Sequence, residues 1–392
     1  MLVSIALIMI VGLILGWLCK KVKLPSLIGM LITGIVLGPY ILNVIDKSIL
    51  AISADIRKMA LIIILTRAGL SLDIAGLKKV GRPAVLMCFV PASFELLGMI
   101  CLAPKLLGIS VMEAAVMGAV LAAVSPAVVV PRMVKLMEEG YGTNEQIPQL
   151  ILAGASVDDV YVIVLFTTFL GMIQGGKVSV IRFINIPVSI LLGIIIGLLI
   201  GLGMAFLFKM IHMRDTVKIM IILSVSFLLV FLEDNLRTAV TFSALISIMF
   251  IGVSLQKYRK EAAVRLQSKF NKLWVIAEVF LFVLVGATVD VRYLGNVGIR
   301  AILVILGALV FRMLGVFVSL LGTKLGNKEK LFTMMAYTPK ATVQAAIGGI
   351  PLSAGLACGN IVLTVAILAI VITAPLGAFA IDSTYKRLLK HG

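Results

Sequence analysis

The sequence predicts an all-α polytopic membrane protein with about 13 transmembrane helices. Of its 392 residues, 61% are hydrophobic, far above the share a water-soluble domain carries. Apolar windows of about 20 residues, enough to cross ~30 Å of hydrocarbon, recur along the whole length. Marks in the first half also return in the second at a nearly constant spacing, which predicts two inverted six-helix repeats.

The windows fall near 2–19, 25–42, 51–71, 83–104, 112–136, 147–173, 181–208, 217–233, 238–255, 271–289, 298–322, 330–350 and 355–381. Pro25 and Pro83 suit a first turn, where the missing N–H has no helical partner to lose. Ser26, Ser110 and Asn360 add polar punctuation at other starts. Connections are short. The first apolar run has no basic stretch before it and a second run follows, so it reads as a retained helix rather than a cleaved signal.

The net charge of +17 would suggest nucleic acid in a soluble protein. No basic stretch interleaved with aromatics is present, so nucleic acid is set aside as a partner. Loop by loop, 23 of the 35 basic residues fall on one side of the predicted membrane, 9 on the other and 3 within helices. The positive-inside rule then puts the N-terminus outside and the C-terminus in the cytoplasm, as an odd helix count requires. The expected location is the plasma membrane. Cys19, Cys88, Cys101 and Cys358 lack C-x-x-C spacing, so neither zinc nor a disulfide framework is indicated.

Three marks carry the repeat. Ser26 opens segment 2 and Ser243 opens segment 9. Gly69-Leu-Ser-Leu-Asp73 ends segment 3 and Gly286-Ala-Thr-Val-Asp290 ends segment 10, at the same spacing as the two serines. Ser125-Pro126 and Thr338-Pro339 sit at nearly that spacing in segments 5 and 12. Segments 1–6 and 8–13 are therefore expected to be duplicates, and segment 7, as an odd linker, inverts the second copy.

Segment 6, over 148–175, is apolar yet holds Asp158 and Asp159 side by side near its middle. A carboxylate at that depth costs roughly 2.5–3.5 kcal/mol on insertion scales, and intramembrane acids mark ion or proton pathways. Segments 5 and 12 carry prolines at matched places, Pro126 and Pro131 in one and Pro339 in the other, with Gly348 and Gly349 following. Proline frees backbone groups that must find partners, and a pair of broken segments in matched halves points to a midplane site. Glu95 in segment 4 and Arg312 in segment 11 stand at the repeat spacing, the same as Ser26 to Ser243. They are expected to pair, either as a structural clamp or as part of the site. Lys340, just past the second break, either tunes the aspartates or snorkels to an interface. Ser125, Ser156, Thr338 and Thr342 offer hydroxyl oxygens near the same level, or bond their own helix backbone. Glu278 receives no role.

These residues lead to the expectation of one carboxylate site, at Asp158 and Asp159, that takes either protons or a monovalent metal cation, with Ser125 and Thr342 as added ligands. Hard oxygen ligands suit Na+ or Li+. No cofactor is expected beyond the transported ions, and no enzyme activity. An intramembrane aspartyl protease needs two aspartates on facing helices, whereas neighbours on one helix lie about 100° apart. A sodium-coupled organic-anion symporter with broken crossing helices stays open as an alternative, as does K+/H+ exchange.

AVSPAVVVPRM over 123–133, GASVDDV over 154–160 and TPKATVQAAIG over 338–348 resemble a Na+/H+ antiporter of the cation–proton antiporter superfamily, NHA branch. LPSLIGMLITGIVLGP over 24–39 is a looser mark of the superfamily. The resemblance implies an NhaA-like fold in which broken segments 5 and 12 cross beside the ion site. It implies a dimerisation domain from 1–80 and 215–295, a core ion-transport domain from 81–176 and 296–392, a linker at 177–214, and a homodimer. It makes Asp159 the main cation-binding carboxylate, with Asp158 its partner. At the position of Arg312, electrogenic relatives carry Lys, and this departure bears on stoichiometry.

Overall fold

A computed structural model describes residues 1–72, 81–175, 180–235 and 242–392; the side chains at 156, 180–187, 234 and 291–297 lie outside that description. Asp73, which closes the first G-x-x-x-D mark, and the Ser156 hydroxyl therefore fall outside the described residues. Within them the chain is helical, with one isolated β-bridge between Tyr141 and His391.

The first half runs α1 (Leu2–Lys21), α2 (Ser26–Leu37), α3 (Lys47–Ala51), α4 (Ser53–Ser71), α5 (Arg82–Met87), α6 (Val90–Leu107), α7 (Val111–Leu121), α8 (Pro126–Glu138) and α9 (Ile147–Gln174). Then come α10 (Val180–Met210), α11 (Asp215–Asn235), α12 (Ala244–Tyr258), α13 (Lys260–Ala287) and α14 (Val291–Ser319). The chain closes with α15 (Asn327–Ala336), α16 (Thr342–Ile347), α17 (Ile350–Ser353) and α18 (Gly359–Leu388). Among the described residues, nine spans are long and apolar enough to cross a membrane, α5–α6 and α7–α8 each counting as one. The shorter α2 and α12 are apolar as well.

Local chemistry explains the ends. Ser110 and Glu113 close a reciprocal capping box on α7, with the Glu113 N–H donating to Ser110 Oγ at 3.3 Å and the Ser110 N–H to Glu113 Oε2 at 2.8 Å. Ser243 accepts the Ile246 N–H at 3.4 Å and starts α12 several residues later than hydropathy places it. The start of α13 differs most from expectation: it opens at Lys260 rather than near 271. Its first turns bury Ala262, Ala263, Leu266 and Phe270 and expose Lys260, Arg265 and Lys272, an amphipathic pattern that a window for continuous apolarity passes over.

Contacts divide the chain into two compact units. One comprises Met1–Ala54, Asp73–Leu170 and Val279–Gly392; the other comprises Asp55–Leu72 and Gly171–Glu278. In the first, α2 and α13 meet through Gly34 and Gly286: a Cβ at Gly34 would strike the Val283 carbonyl, and one at Gly286 the Leu31 carbonyl. In the second, α4 and α12 meet through Gly69 and Gly252, where a Cβ would strike Met249 and the Gly69–Leu70 backbone. Small residues are what allow membrane helices to approach backbone to backbone. The first unit also holds a buried cluster that includes Met87, Val129, Met133, Ile151, Val316, Phe332, Tyr337 and Ile381, packing α5, α8, α9, α14, α15 and α18 around the candidate site.

Candidate functional site

Two helices break inside the first unit. Residues 122–125 are unwound between α7 and α8, and 338–341 between α15 and α16. Pro126 and Pro339 help set these breaks, because neither can donate an N–H to a continuing helix. The unwound stretches touch: the Ser125 N–H donates to the Pro339 carbonyl at 2.7 Å.

Freed backbone groups in a membrane must be satisfied from within the protein. Side chains from elsewhere in this unit meet that demand. Gln344 donates from Nε2 to the carbonyls of Leu121 at 3.1 Å and Ala123 at 2.9 Å. Arg312 donates to the carbonyls of Ala122 and Tyr337, so one guanidinium staples both breaks. The Val124 N–H donates to Asp158 Oδ2 at 2.9 Å, and the Lys340 N–H to Thr373 Oγ1 at 2.8 Å.

The charges form one buried network. Arg312 Nη1 lies 2.8 Å from Glu95 Oε2, and Nη2 lies 2.8 Å from Asp158 Oδ2. Lys340 Nζ lies on the same Glu95 Oε2, not on the aspartates. The Arg312 guanidinium also sits 4.9 Å from the centre of the Tyr337 ring, whose hydroxyl donates to the Met87 carbonyl at 3.0 Å. Glu95 and Asp158 thus face Arg312 and Lys340, two formal charges against two. Asp159 makes no ion pair among the described residues, and it keeps 5% of its surface accessible where Asp158 keeps none.

Five buried oxygens around these groups have no hydrogen-bond partner among the described residues: Ser125 Oγ, Asp158 Oδ1, Asp159 Oδ1, Thr342 Oγ1 and Gln344 Oε1. Leaving a buried oxygen unmatched costs about 1–3 kcal/mol each, so these oxygens call for partners beyond the side chains described. All are hard oxygens, the donor type that suits an alkali cation or a proton. Thr338 is not among them, because its hydroxyl donates to Met335 of its own helix at 2.8 Å.

Sequence reasoning names Glu95, Ser125, Asp158, Asp159, Arg312, Lys340 and Thr342; the fold joins Glu95, Asp158, Arg312 and Lys340 in one ion-pair network, with Asp159 next to Asp158 in the chain and Ser125 and Thr342 at the two breaks. It misses Gln344, Tyr337 and Thr373. An amide shortly past a break-making Thr-Pro pair is the signal that could have found Gln344. Tyr337 and Thr373 act through a ring face and one hydroxyl, and leave no pattern in the sequence.

Helices broken in apolar spans and touching at their breaks beside buried acids are the build of a membrane ion carrier. A family model described as the transmembrane sodium/hydrogen exchanger matches residues 5–386, and the chain belongs to that family. It is 32% identical over 384 residues to human sodium/hydrogen exchanger 9B2, covering 94% of this chain and 70% of the relative. Human sodium/hydrogen exchanger 9B1 is 32% identical over 388 residues, covering 93% and 73%. In fold the chain resembles the sodium proton antiporter MjNhaP1 of Methanocaldococcus jannaschii, with a TM-score of 0.86 at 22% identity over 98% of this chain and 97% of that one. The protein is a multi-pass membrane transporter of the cation/proton exchange class, not an enzyme.

Proposed function

We propose that this protein exchanges Na+ or Li+ for protons by alternating access, with Asp159 as the carboxylate at which cation and proton exclude one another. The observation that carries this reading is the charge balance: Glu95 and Asp158 are matched by Arg312 and Lys340, and Asp159 is left over. One cation or one proton on Asp159 covers the remaining charge and lets the core move. The unpartnered oxygens of Ser125 and Thr342 complete a cage for the dehydrated cation. Exchange is then one proton for one cation and electroneutral. Arg312 keeps its proton at any physiological pH, so it supplies no second one.

The same reading takes the chain as 13 helices in two inverted six-helix repeats joined by α10. The glycine contacts support it. Gly34 meets Gly286 while Gly69 meets Gly252. Along the chain, Gly34 precedes Gly252 by almost the same interval as Gly69 precedes Gly286, the relation that a repeat folded back on itself produces. We assign residues 1–80 and 215–295 to dimerisation, 81–176 and 296–392 to transport, and 177–214 to the linker. The protein works as a homodimer in the plasma membrane, N-terminus outside and C-terminus cytoplasmic, as the bias of basic loops supports.

Proteoliposomes carrying a pH gradient provide the test. Na+ and Li+ should dissipate the gradient with no organic solute present. Dissipation by K+ alone would move the assignment to K+/H+ exchange, and none by any of the three would favour organic-anion symport.

A further inference from the structure

We propose that Gln344 supplies a neutral carbonyl ligand to the transported cation; this rests on the site reading above. Both amide protons of Gln344 are spent, one on the Leu121 carbonyl and one on the Ala123 carbonyl. That fixes which way the amide faces. Exchanging its nitrogen and oxygen would set Oε1 against two carbonyl oxygens with no proton between them. Oε1 must therefore point away from residues 121–123, and there it is buried with no partner among the described residues. Gln344 as a whole is 1% exposed.

The neighbourhood of this oxygen follows from the chain. Gln344 lies in the first turn of α16, two residues after Thr342, whose Oγ1 is also unpartnered. Its amide grips the residues on either side of Ala122, and the next N–H along, from Val124, holds Asp158. The side chain thus bridges the second broken helix to the stretch that carries the aspartate contact and Ser125. An oxygen left bare there lacks an acceptor's ordinary partner, a donor proton, but suits a small cation, which needs several oxygens in place of its water. A neutral ligand adds coordination without adding charge, so the two-against-two balance, and exchange of one proton per cation, is preserved. Because the same amide also holds the unwound stretch, Gln344 couples ligand geometry to the packing of the first break.

The test uses the full-length purified protein and reads binding apart from turnover. The unfolding temperature is followed against Na+ and Li+ at fixed pH, and KM and Vmax are measured in proteoliposomes, for wild type, Gln344→Met, Gln344→Asn and Asp159→Asn. Gln344→Met fills the same volume without oxygen or donor and should raise half-saturating Na+ and the Na+ KM about tenfold, the effect of losing one good ligand, with Vmax within about twofold. Gln344→Asn keeps an amide to grip one carbonyl, folds, and pulls its oxygen back by one methylene; it should show a smaller rise, about three- to tenfold. Half-saturation unchanged in both variants, whatever their unfolding temperatures, would overturn the proposal and leave Gln344 a staple with a water on its oxygen. Asp159→Asn separates the two claims: it should erase the Na+ response entirely. A Na+ response kept in Asp159→Asn would overturn the site reading and this proposal with it.

Discussion

The two halves of the chain break a helix in the same way but bring opposite chemistry to the crossing. Residues 95–159 contribute the acids Glu95, Asp158 and Asp159, and 312–344 contribute Arg312, Lys340 and Gln344. The first break is held chiefly from the second half: its three carbonyls at 121–123 are taken by Gln344 and Arg312. The second is held partly by its own half, through Arg312 on the Tyr337 carbonyl and Thr373 on the Lys340 N–H. Likeness of backbone between two halves therefore does not carry over to side chains. The half that provides the buried acids depends on the other half for its shape, which ties their setting to the packing between the two.

The strongest way to break this comparison is at the acids. Asp159→Asn should abolish cation-driven proton movement in vesicles while the unfolding temperature stays near wild type, because no ion pair is lost. Asp158→Asn should lose transport and stability together, since it removes the negative charge that pairs with Arg312 Nη2 and leaves that buried guanidinium less compensated. Equal loss of stability in both variants would mean that the acids are not divided into one structural and one exchangeable carboxylate.

Next in size is Arg312, where the contribution of the second half is concentrated. Removing Arg312 or Glu95 alone, each to Ala, should destabilise by about 3–5 kcal/mol, the cost of an orphaned buried charge. The double replacement should cost less than the sum, as thermal or denaturant unfolding in detergent would show. Arg312→Lys keeps the charge but has three donors for the four acceptors Arg312 serves, so at least one of Glu95, Asp158 and the Ala122 and Tyr337 carbonyls loses its donor, at about 1–3 kcal/mol for each. Wild-type stability in Arg312→Lys would show that the staple is not needed.

The smallest effect is expected at Lys340. Its ammonium pairs with Glu95 rather than with Asp159. Exchange by wild type should neither speed up nor slow down when a potassium–valinomycin potential is imposed, and Lys340→Gln should leave that indifference intact while slowing exchange. A voltage dependence in wild type that disappears in Lys340→Gln would mean that Lys340 carries a second proton.

Much of this arrangement is legible in the chain. Adjacent aspartates in an apolar run, prolines in two apolar segments, and an acid and a base 217 residues apart each stand out in a membrane sequence, and the structure places Asp158, Glu95 and Arg312 in one network beside the two breaks. What the sequence hides is who holds whom. Lys340 reads from the sequence as tuning the aspartates or snorkelling to an interface, and the fold turns it to Glu95 instead. Gln344 looks like one polar residue in a helix start until both its protons are seen on carbonyls of the other half. The early start of α13 is hidden for another reason: its amphipathic face needs a 3.6-residue period to be seen, and a hydropathy window averages that period away.

Proton release on cation binding tests the central claim most directly. In weakly buffered detergent solution near the midpoint of the site's titration, adding saturating Na+ to the purified wild type should release protons, up to one per protein as the starting pH is lowered. Lys340→Gln should release the same number, and Asp159→Asn none. Protons released by Asp159→Asn, or lost only in Lys340→Gln, would contradict the assignment of the exchanged proton to Asp159.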